Sequence, residues 1–174
     1  MRTASLTRIL AAFTALLLLA GCAVIVEPLD VRVAPPRVTI QDVALITHFE
    51  PERGRTAAYS IGDPIAFRVR TTEDGFVTLT AIDPNGEVYV FARNIRVRGG
   101  RTEIIRGISP RERFVVTGPE GLHRVTAHFK PARSDETIVF QGVRGYTDWQ
   151  LRIRLELRAF PRGDIVETRF TVRR

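Results

Sequence analysis

Residues 76–91 read FVTLTAIDPNGEVYVF, two apolar runs separated by a turn sequence. Both runs are rich in β-branched and aromatic residues, which favour strands. Asp83–Gly86 places a proline at the second turn position and a glycine at its end, which is typical of a tight turn. The stretch therefore predicts a β-hairpin with strands over 76–82 and 87–91.

Similar patterns occur on both sides of this hairpin. Upstream, apolar residues at 65, 67 and 69 alternate with Arg68 and Arg70. Such alternation predicts a strand with one face on a core and the other in water. Downstream, Phe114–Val116 and Leu122–Phe129 flank Gly118–Gly121, and we expect them to pair around that turn.

The most regular alternation lies near the C-terminus, where Trp149–Ala159 reads WQLRIRLELRA. Every second residue from Trp149 onward is apolar, and those between them are polar. Over eleven residues this pattern predicts an antiparallel strand, with the Trp149 face on the core. Pro161–Asp164 then forms a turn, and Val166–Val172 is predicted to complete a C-terminal hairpin.

These segments together define the expected fold class. They give eight or nine short strands within residues 38–174, with no convincing helical period. The chain of 174 residues is long enough for one domain with a core, and its single cysteine excludes a disulfide framework. We therefore expect an all-β fold, a single antiparallel β-sandwich of immunoglobulin-like or Greek-key type.

The N-terminus has the features of an export signal. Arg2 and Arg8 precede the apolar run Ile9–Ala20. As a helix, this run is about 18 Å long and too short to cross a bilayer core of roughly 30 Å. It therefore reads as a signal peptide. Leu19–Cys22 resembles the lipobox of bacterial lipoproteins, in which the cysteine is acylated and becomes the mature N-terminus.

We accordingly divide the chain into a lipoprotein signal peptide (1–21), a lipidated N-terminus with a proline-containing tether (22–37) and the β-sandwich domain (38–174). Acylated Cys22 would anchor the protein in the lipid bilayer of the cell envelope. Ala23, rather than aspartate, follows the cysteine. By the sorting rule of such lipoproteins, this favours the outer membrane. The alternative is an ordinary secretory signal in which Cys22 is incidental.

Four blocks of the domain resemble a known family. They are YSIGDPI at Tyr59–Ile65, DGFVTL at Asp74–Leu79, IDPNGEVYVF at Ile82–Phe91 and GPEGLHRVTA at Gly118–Ala127. In this order they resemble the bacterial domain-of-unknown-function family 4384, from about Tyr59 to Phe129. The resemblance implies a β-sandwich module of exported and envelope-associated proteins, with no catalytic residues to carry over. The chain departs from the family where Ala92-Arg93-Asn94, rather than Pro-Asn, follows Phe91.

The chain is basic, and its charge is unevenly distributed. It carries 26 basic and 19 acidic residues, and Lys130 is the only lysine. The guanidinium group suits phosphate and carboxylate, so the most basic stretch is our candidate surface for an anion or a partner. The alternative is an ordinary solvated β surface. The candidate residues are Arg93, Arg96, Arg98, Arg101, Arg106, Arg111 and Arg113.

Other functional sites find little support in the sequence. His123 and His128 lie five apart on one predicted strand and point to opposite faces, so they cannot share a metal, and we expect His128 on the solvent side. No pattern indicates catalytic residues, a metal site or a cofactor. Nucleic acid is not expected, because no stacking-aromatic motif accompanies the arginines. Among the aromatic residues, Trp149 is assigned to the core and Tyr146 to the surface.

Two functions remain open at this point. The first is a non-catalytic, membrane-anchored interaction or assembly module that binds an acidic envelope protein, surface-layer component or cell-wall polymer through its arginines. The second is a module that binds peptidoglycan or another envelope glycan. In either case the arginines that alternate along the edge strands oppose pairing with another chain, which favours a monomeric domain.

Overall fold

Ten strands and one helix make up the described part of the chain. The computed structural model describes residues 44–133, 140 and 142–174. The strands are β1 (Ile46–Pro51), β2 (Ala58–Ser60), β3 (Phe67–Thr71), β4 (Gly75–Ile82), β5 (Val88–Val97), β6 (Thr102–Ile105), β7 (Gly107–Ser109), β8 (Glu112–Arg113), β9 (Gly121–Lys130) and β10 (Asp164–Arg173), and the helix is α1 (Tyr146–Leu157).

Most strands belong to two sheets that form a β-sandwich. The smaller sheet has the order β1-β3-β6, the larger has the order β2-β10-β9-β4-β5, and β7 pairs with β8 as a separate hairpin. The pairings are antiparallel except for that between β10 and β2. The predicted all-β sandwich is thus confirmed. The hairpin at 76–91 is also confirmed, because β4 pairs with β5 around Asp83–Gly86.

Both faces of the larger sheet contribute to a hydrophobic core. On the inner face, Leu79 and Phe129 pack in one core with Phe49 and Phe67 of the smaller sheet. Residues of alternate parity, such as Thr80, point to the other face, part of which α1 covers. There a second, smaller core forms around Ile153, Trp149 and Phe140. Burial of a side chain such as Ile153 contributes about 2 kcal/mol.

The predicted strand at Trp149–Ala159 is wrong, because α1 occupies this stretch. Trp149, Ile153 and Glu156 form its buried face, and their spacing is that of a helix. The period-2 alternation predicted a strand wrongly because Leu151 and Leu155 are apolar and yet exposed. Glu156 is the converse case, because it is buried although charged.

Two predicted pairings also differ from the structure. The predicted C-terminal hairpin does not form, because β10 pairs with β9 and β2 rather than with residues 149–159. Phe114–Val116 does not pair with 122–129 either. Val115 instead forms an isolated bridge with Pro64, while β9 lies between β4 and β10. Turns can be predicted from a short stretch of sequence. Which strand lies beside another in a sheet depends instead on contacts between distant segments.

The predictions for the N-terminus lie outside the described residues. They concern the signal peptide, Cys22, the tether at 22–37 and the start of the domain at 38–43. Residues 39–174 form one compact unit. In the part of the chain that the structure describes, no helix is long and apolar enough to cross a membrane.

Candidate functional site

A buried chain of polar side chains joins α1 to the larger sheet. The Trp149 indole Nε1 donates to Thr80 Oγ1 at 2.9 Å, and this hydroxyl lies 2.9 Å from His128 Nε2. His128 Nδ1 lies 3.7 Å from Glu156 Oε2. Lys130 Nζ donates to Glu156 Oε1 at 2.6 Å. We call these five side chains the buried network.

The buried network carries charge at one end, where Lys130 meets Glu156. With Thr80 donating to His128 Nε2, the ring carries its N–H at Nδ1. Nδ1 lies on the Glu156 side, but at 3.7 Å from Oε2 it is too far for a hydrogen bond, and both atoms are buried without a hydrogen-bond partner. Burial lowers the pKa of His128, which favours the neutral ring. Burial alone would raise the pKa of Glu156, but the contacts with His128 and Lys130 outweigh it and lower the pKa to about 2. Glu156 and Lys130 thus form a buried ion pair.

The buried network has a structural role. All five side chains are shielded from solvent, with Glu156 the most exposed at 4%. A substrate atom outside the domain therefore does not reach them. Instead, the network fixes which side of α1 faces the sheet, because Trp149 and Glu156 each have a specific partner there.

The two histidines of β9 lie on opposite faces of the sheet, as predicted. His123 stacks on Phe170, with ring centroids 5.1 Å apart, and contacts the Tyr89 hydroxyl at 3.0 Å. The expectation that His128 lies on the solvent side is wrong, because α1 covers that face. Among the described residues, no group of three or more His, Cys, Asp or Glu side chains could hold a metal ion.

The seven candidate arginines do not form one patch. β6 separates them, because Arg101 precedes it and Arg106 follows it. Five residues of extended chain span about 16 Å, so these two arginines lie at opposite ends of the strand. Arg96 and Arg98 belong to the end that carries Arg101, since β5 leads directly into this turn.

Arg96, Arg98 and Arg101, which we call the turn arginines, lie around a tightly held connection. All three are exposed. The amide of Gly99 donates to Asp74 Oδ1 at 2.8 Å, and that of Gly100 donates to the Thr71 carbonyl at 2.8 Å. A Cβ at Gly99 would lie only 2.5 Å from the Glu73 Cα, so the close approach requires glycine. Within the described ranges, no carboxylate forms an ion pair with a turn arginine.

The remaining candidate arginines have other surroundings. Arg106 Nη2 lies 2.9 Å from Glu52 Oε1. Arg111 and Arg113 are exposed on the β7–β8 hairpin. Arg93 is half-buried, and its guanidinium carbon lies 5.3 Å from the centre of the Phe140 ring.

An open groove of about 450 Å³ lies beside the start of α1. Tyr146 is 48% exposed, as expected, whereas Trp149 is buried and Tyr89 packs against the core. Glu167 accepts hydrogen bonds from Arg124 at 2.8 Å and from the Tyr146 hydroxyl at 3.0 Å. The groove is lined by Ile82, Asp83, Pro84, Gly86, Leu122, Arg124 and Tyr146.

Sequence reasoning missed α1 and the buried ion pair, although some signals were present. Gly145 precedes the helix, Asp148 lies in its first turn and Pro161 follows its end, all of which are helix boundary features. Glu156 follows Trp149 by seven residues, a helical spacing. The only lysine, Lys130, ends β9, but the sequence does not reveal that Lys130 and Glu156 meet.

Comparison with known protein families finds a match for part of this domain. The model described as "Domain of unknown function (DUF4384)" matches residues 58–130, the segment from β2 to the end of β9. Comparison with curated proteins and with solved structures finds no significant match. This matched segment is nearly the same as the one over which the four sequence blocks resemble the family, from about Tyr59 to Phe129. Residues 58–130 of this chain are therefore similar to the domain-of-unknown-function family DUF4384.

Proposed function

We propose that the protein is a non-catalytic envelope lipoprotein, anchored through acylated Cys22, whose β-sandwich binds an acidic partner through the turn arginines. The partner would be an envelope protein, a surface-layer component or a cell-wall polymer that presents carboxylates or phosphates. The cell outer membrane is the proposed location, from the residue that follows Cys22.

The turn arginines carry this proposal. Elsewhere on the domain, Arg53, Arg106 and Arg124 each bond a carboxylate of the same chain. The turn arginines are exposed and, as far as the chain is described, form no such pair. A guanidinium that is already held in a salt bridge has fewer N–H groups to offer, whereas these three keep theirs for a ligand.

Charge reversal tests this surface. We expect Arg96→Glu/Arg98→Glu/Arg101→Glu to abolish co-purification of the partner with the full-length chain after crosslinking in cells. Added salt during extraction without crosslinking should weaken the association in the wild type, because exposed charges are screened. Arg55→Glu/Arg169→Glu/Arg173→Glu is the matched control, since these arginines are also exposed. Equal retention of the partner by both triple variants would reject the turn arginines.

Metabolic labelling tests the anchor separately. Cells fed an alkyne-bearing palmitate analogue should label the wild-type chain and leave Cys22→Ser unlabelled. Both chains are then fractionated to see whether the wild type sediments with membranes. Absence of label on the wild type would reject acylation and support the ordinary secretory signal.

The groove supports a second candidate function, binding of peptidoglycan or another envelope glycan. An exposed aromatic ring beside charged and polar side chains is suited to stack on a sugar and to bond its hydroxyls. Residues 39–174 should then pellet with purified sacculi. Tyr146→Ala should reduce pelleting and Tyr146→Phe should preserve most of it, because the ring does the stacking. Failure of the wild-type domain to pellet at low salt would reject this candidate.

A further inference from the structure

The outward face of α1 combines apolar and basic side chains. Leu151 is 55% exposed and Leu155 is 40% exposed. Arg152, Arg154 and Arg158 are exposed as well, the last directly after the end of the helix. These five side chains form what we call the outer face of α1. In the described part of the chain, no acidic side chain forms an ion pair with its arginines.

Helical geometry arranges these residues in a stripe with charged borders. Successive residues are turned by about 100°, so Leu151 and Leu155 lie one turn apart on the same side. By the same geometry, Arg154 and Arg158 lie along one border and Arg152 along the other. A twelve-residue helix is about 18 Å long, so the stripe covers much of its length.

The buried network keeps this face turned outward. Trp149 and Glu156 are bound to Thr80 and Lys130 on the opposite side of the helix. Rotation that buried Leu151 or Leu155 would break both contacts and leave charged groups without partners. The leucines are therefore held at the surface by polar contacts rather than left there by loose packing.

We propose that the outer face of α1 binds an anionic lipid surface, with the leucines inserted at the boundary between headgroups and acyl chains and the arginines on lipid phosphates. Helices that lie in a membrane interface combine an apolar stripe with a basic border in this way. Long arginine side chains extend from such a stripe toward the headgroups. Two half-exposed leucines are few for a protein interface of about 800 Å² per partner, but they suffice for shallow insertion.

This inference does not depend on the turn arginines or on Cys22. The contact would be weak by itself and would orient the domain when another anchor holds it near a bilayer. Asp148 is the one exposed acidic residue of α1 and lies in the first turn, before the stripe.

Vesicle sedimentation of residues 39–174 tests the proposal, because this compact unit contains both cores. We expect binding to vesicles that contain phosphatidylglycerol, weaker binding at higher salt, and none to phosphatidylcholine alone. Each exposed arginine near an anionic surface contributes about fivefold in affinity. Arg152→Gln/Arg154→Gln/Arg158→Gln should therefore weaken binding about 100-fold.

Matched variants separate this face from general charge attraction. Arg96→Gln/Arg98→Gln/Arg101→Gln removes the same charge elsewhere and should change binding less than about fivefold. Leu151→Gln/Leu155→Gln should weaken binding at least tenfold, and glutamine preserves helix propensity. Ile108→Gln/Val115→Gln removes two other exposed apolar side chains and should have little effect. Circular dichroism confirms that each variant is folded.

Three results would overturn the proposal. One is an equal loss of binding in the two arginine triples, which would indicate diffuse attraction. Another is failure of the wild-type domain to bind vesicles with phosphatidylglycerol. The third is self-association in analytical ultracentrifugation that Leu151→Gln/Leu155→Gln abolishes, which would assign the face to a second copy of the chain.

Discussion

The turn arginines and the outer face of α1 are two basic surfaces of different character. The turn arginines surround a connection that contains Gly99 and Gly100, where no apolar side chain of the turn accompanies them. On α1 the arginines border two exposed leucines. The first surface offers charge alone and suits a carboxylate or phosphate partner. The second adds apolar contact and suits the edge of a bilayer.

The difference arises from the element beneath the arginines. A turn between two strands points its side chains into water in several directions. A helix places residues one turn apart on the same side, so Leu151 and Leu155 meet. Similar composition therefore gives different surfaces, and charge counts along the sequence do not distinguish them.

The largest expected effect concerns the attachment of α1, on which its outer face depends. Lys130→Met leaves the Glu156 carboxylate buried without its cation and should lower the free energy of unfolding by about 3–5 kcal/mol. Lys130→Met/Glu156→Leu removes both charges and should recover most of the loss. Urea unfolding of residues 39–174 measures both. If Lys130→Met were as stable as the wild type, the ion pair would not be what holds α1 on the sheet.

Acid should weaken the same attachment, because Glu156 takes up a proton as the pH falls. The pKa of Glu156 falls from an ordinary 4.5 to about 2 on folding. Its stabilisation, about 3 kcal/mol, is therefore complete above pH 4.5 and is lost as the pH falls toward 2. Burial also lowers the pKa of His128, which adds a loss of stability below its ordinary value of 6.5. Unfolding measured against pH should show a shallower acid decline in Lys130→Met/Glu156→Leu, and an unchanged decline would contradict the assignment.

Trp149→Phe tests the other end of the buried network. The change removes the indole donor from Thr80 and leaves a small cavity, so we expect a loss of about 2 kcal/mol in the free energy of unfolding. Tyr146→Phe, at a half-exposed position of the same helix, should lose less than about 0.5 kcal/mol. Equal losses in thermal or urea unfolding would mean that the Trp149 contact adds little.

The smallest effect distinguishes helix from strand directly. Arg152→Val should lower the free energy of unfolding by about 0.5 kcal/mol, because valine is a poorer helix former than arginine. Arg169→Val, at an exposed position of β10, should be neutral or slightly stabilising, because valine favours strands. A stabilising effect at position 152 would instead support the strand that the alternation predicted.

Local pattern predicted much of the sandwich but not the C-terminal helix. β3, β4 and β9 could be predicted because alternation and turn residues agree within short segments, and in each most of the apolar residues face a core. Trp149–Ala159 could not, because Leu151 and Leu155 are exposed and Glu156 is buried beside a lysine from a distant strand. Likewise, the seven candidate arginines are close in sequence, but β6 separates them in space. Contacts between distant segments determine both of these outcomes.

Site-specific photo-crosslinking in cells tests the proposed function most directly. A photoreactive residue replaces Arg98 in the full-length chain, and the same residue at Arg169, which is also exposed, serves as the control. We predict one discrete adduct from position 98 that disappears with Arg96→Glu/Arg101→Glu, and no corresponding adduct from position 169. The same adducts from both positions, or none from position 98, would contradict an interaction surface at the turn arginines.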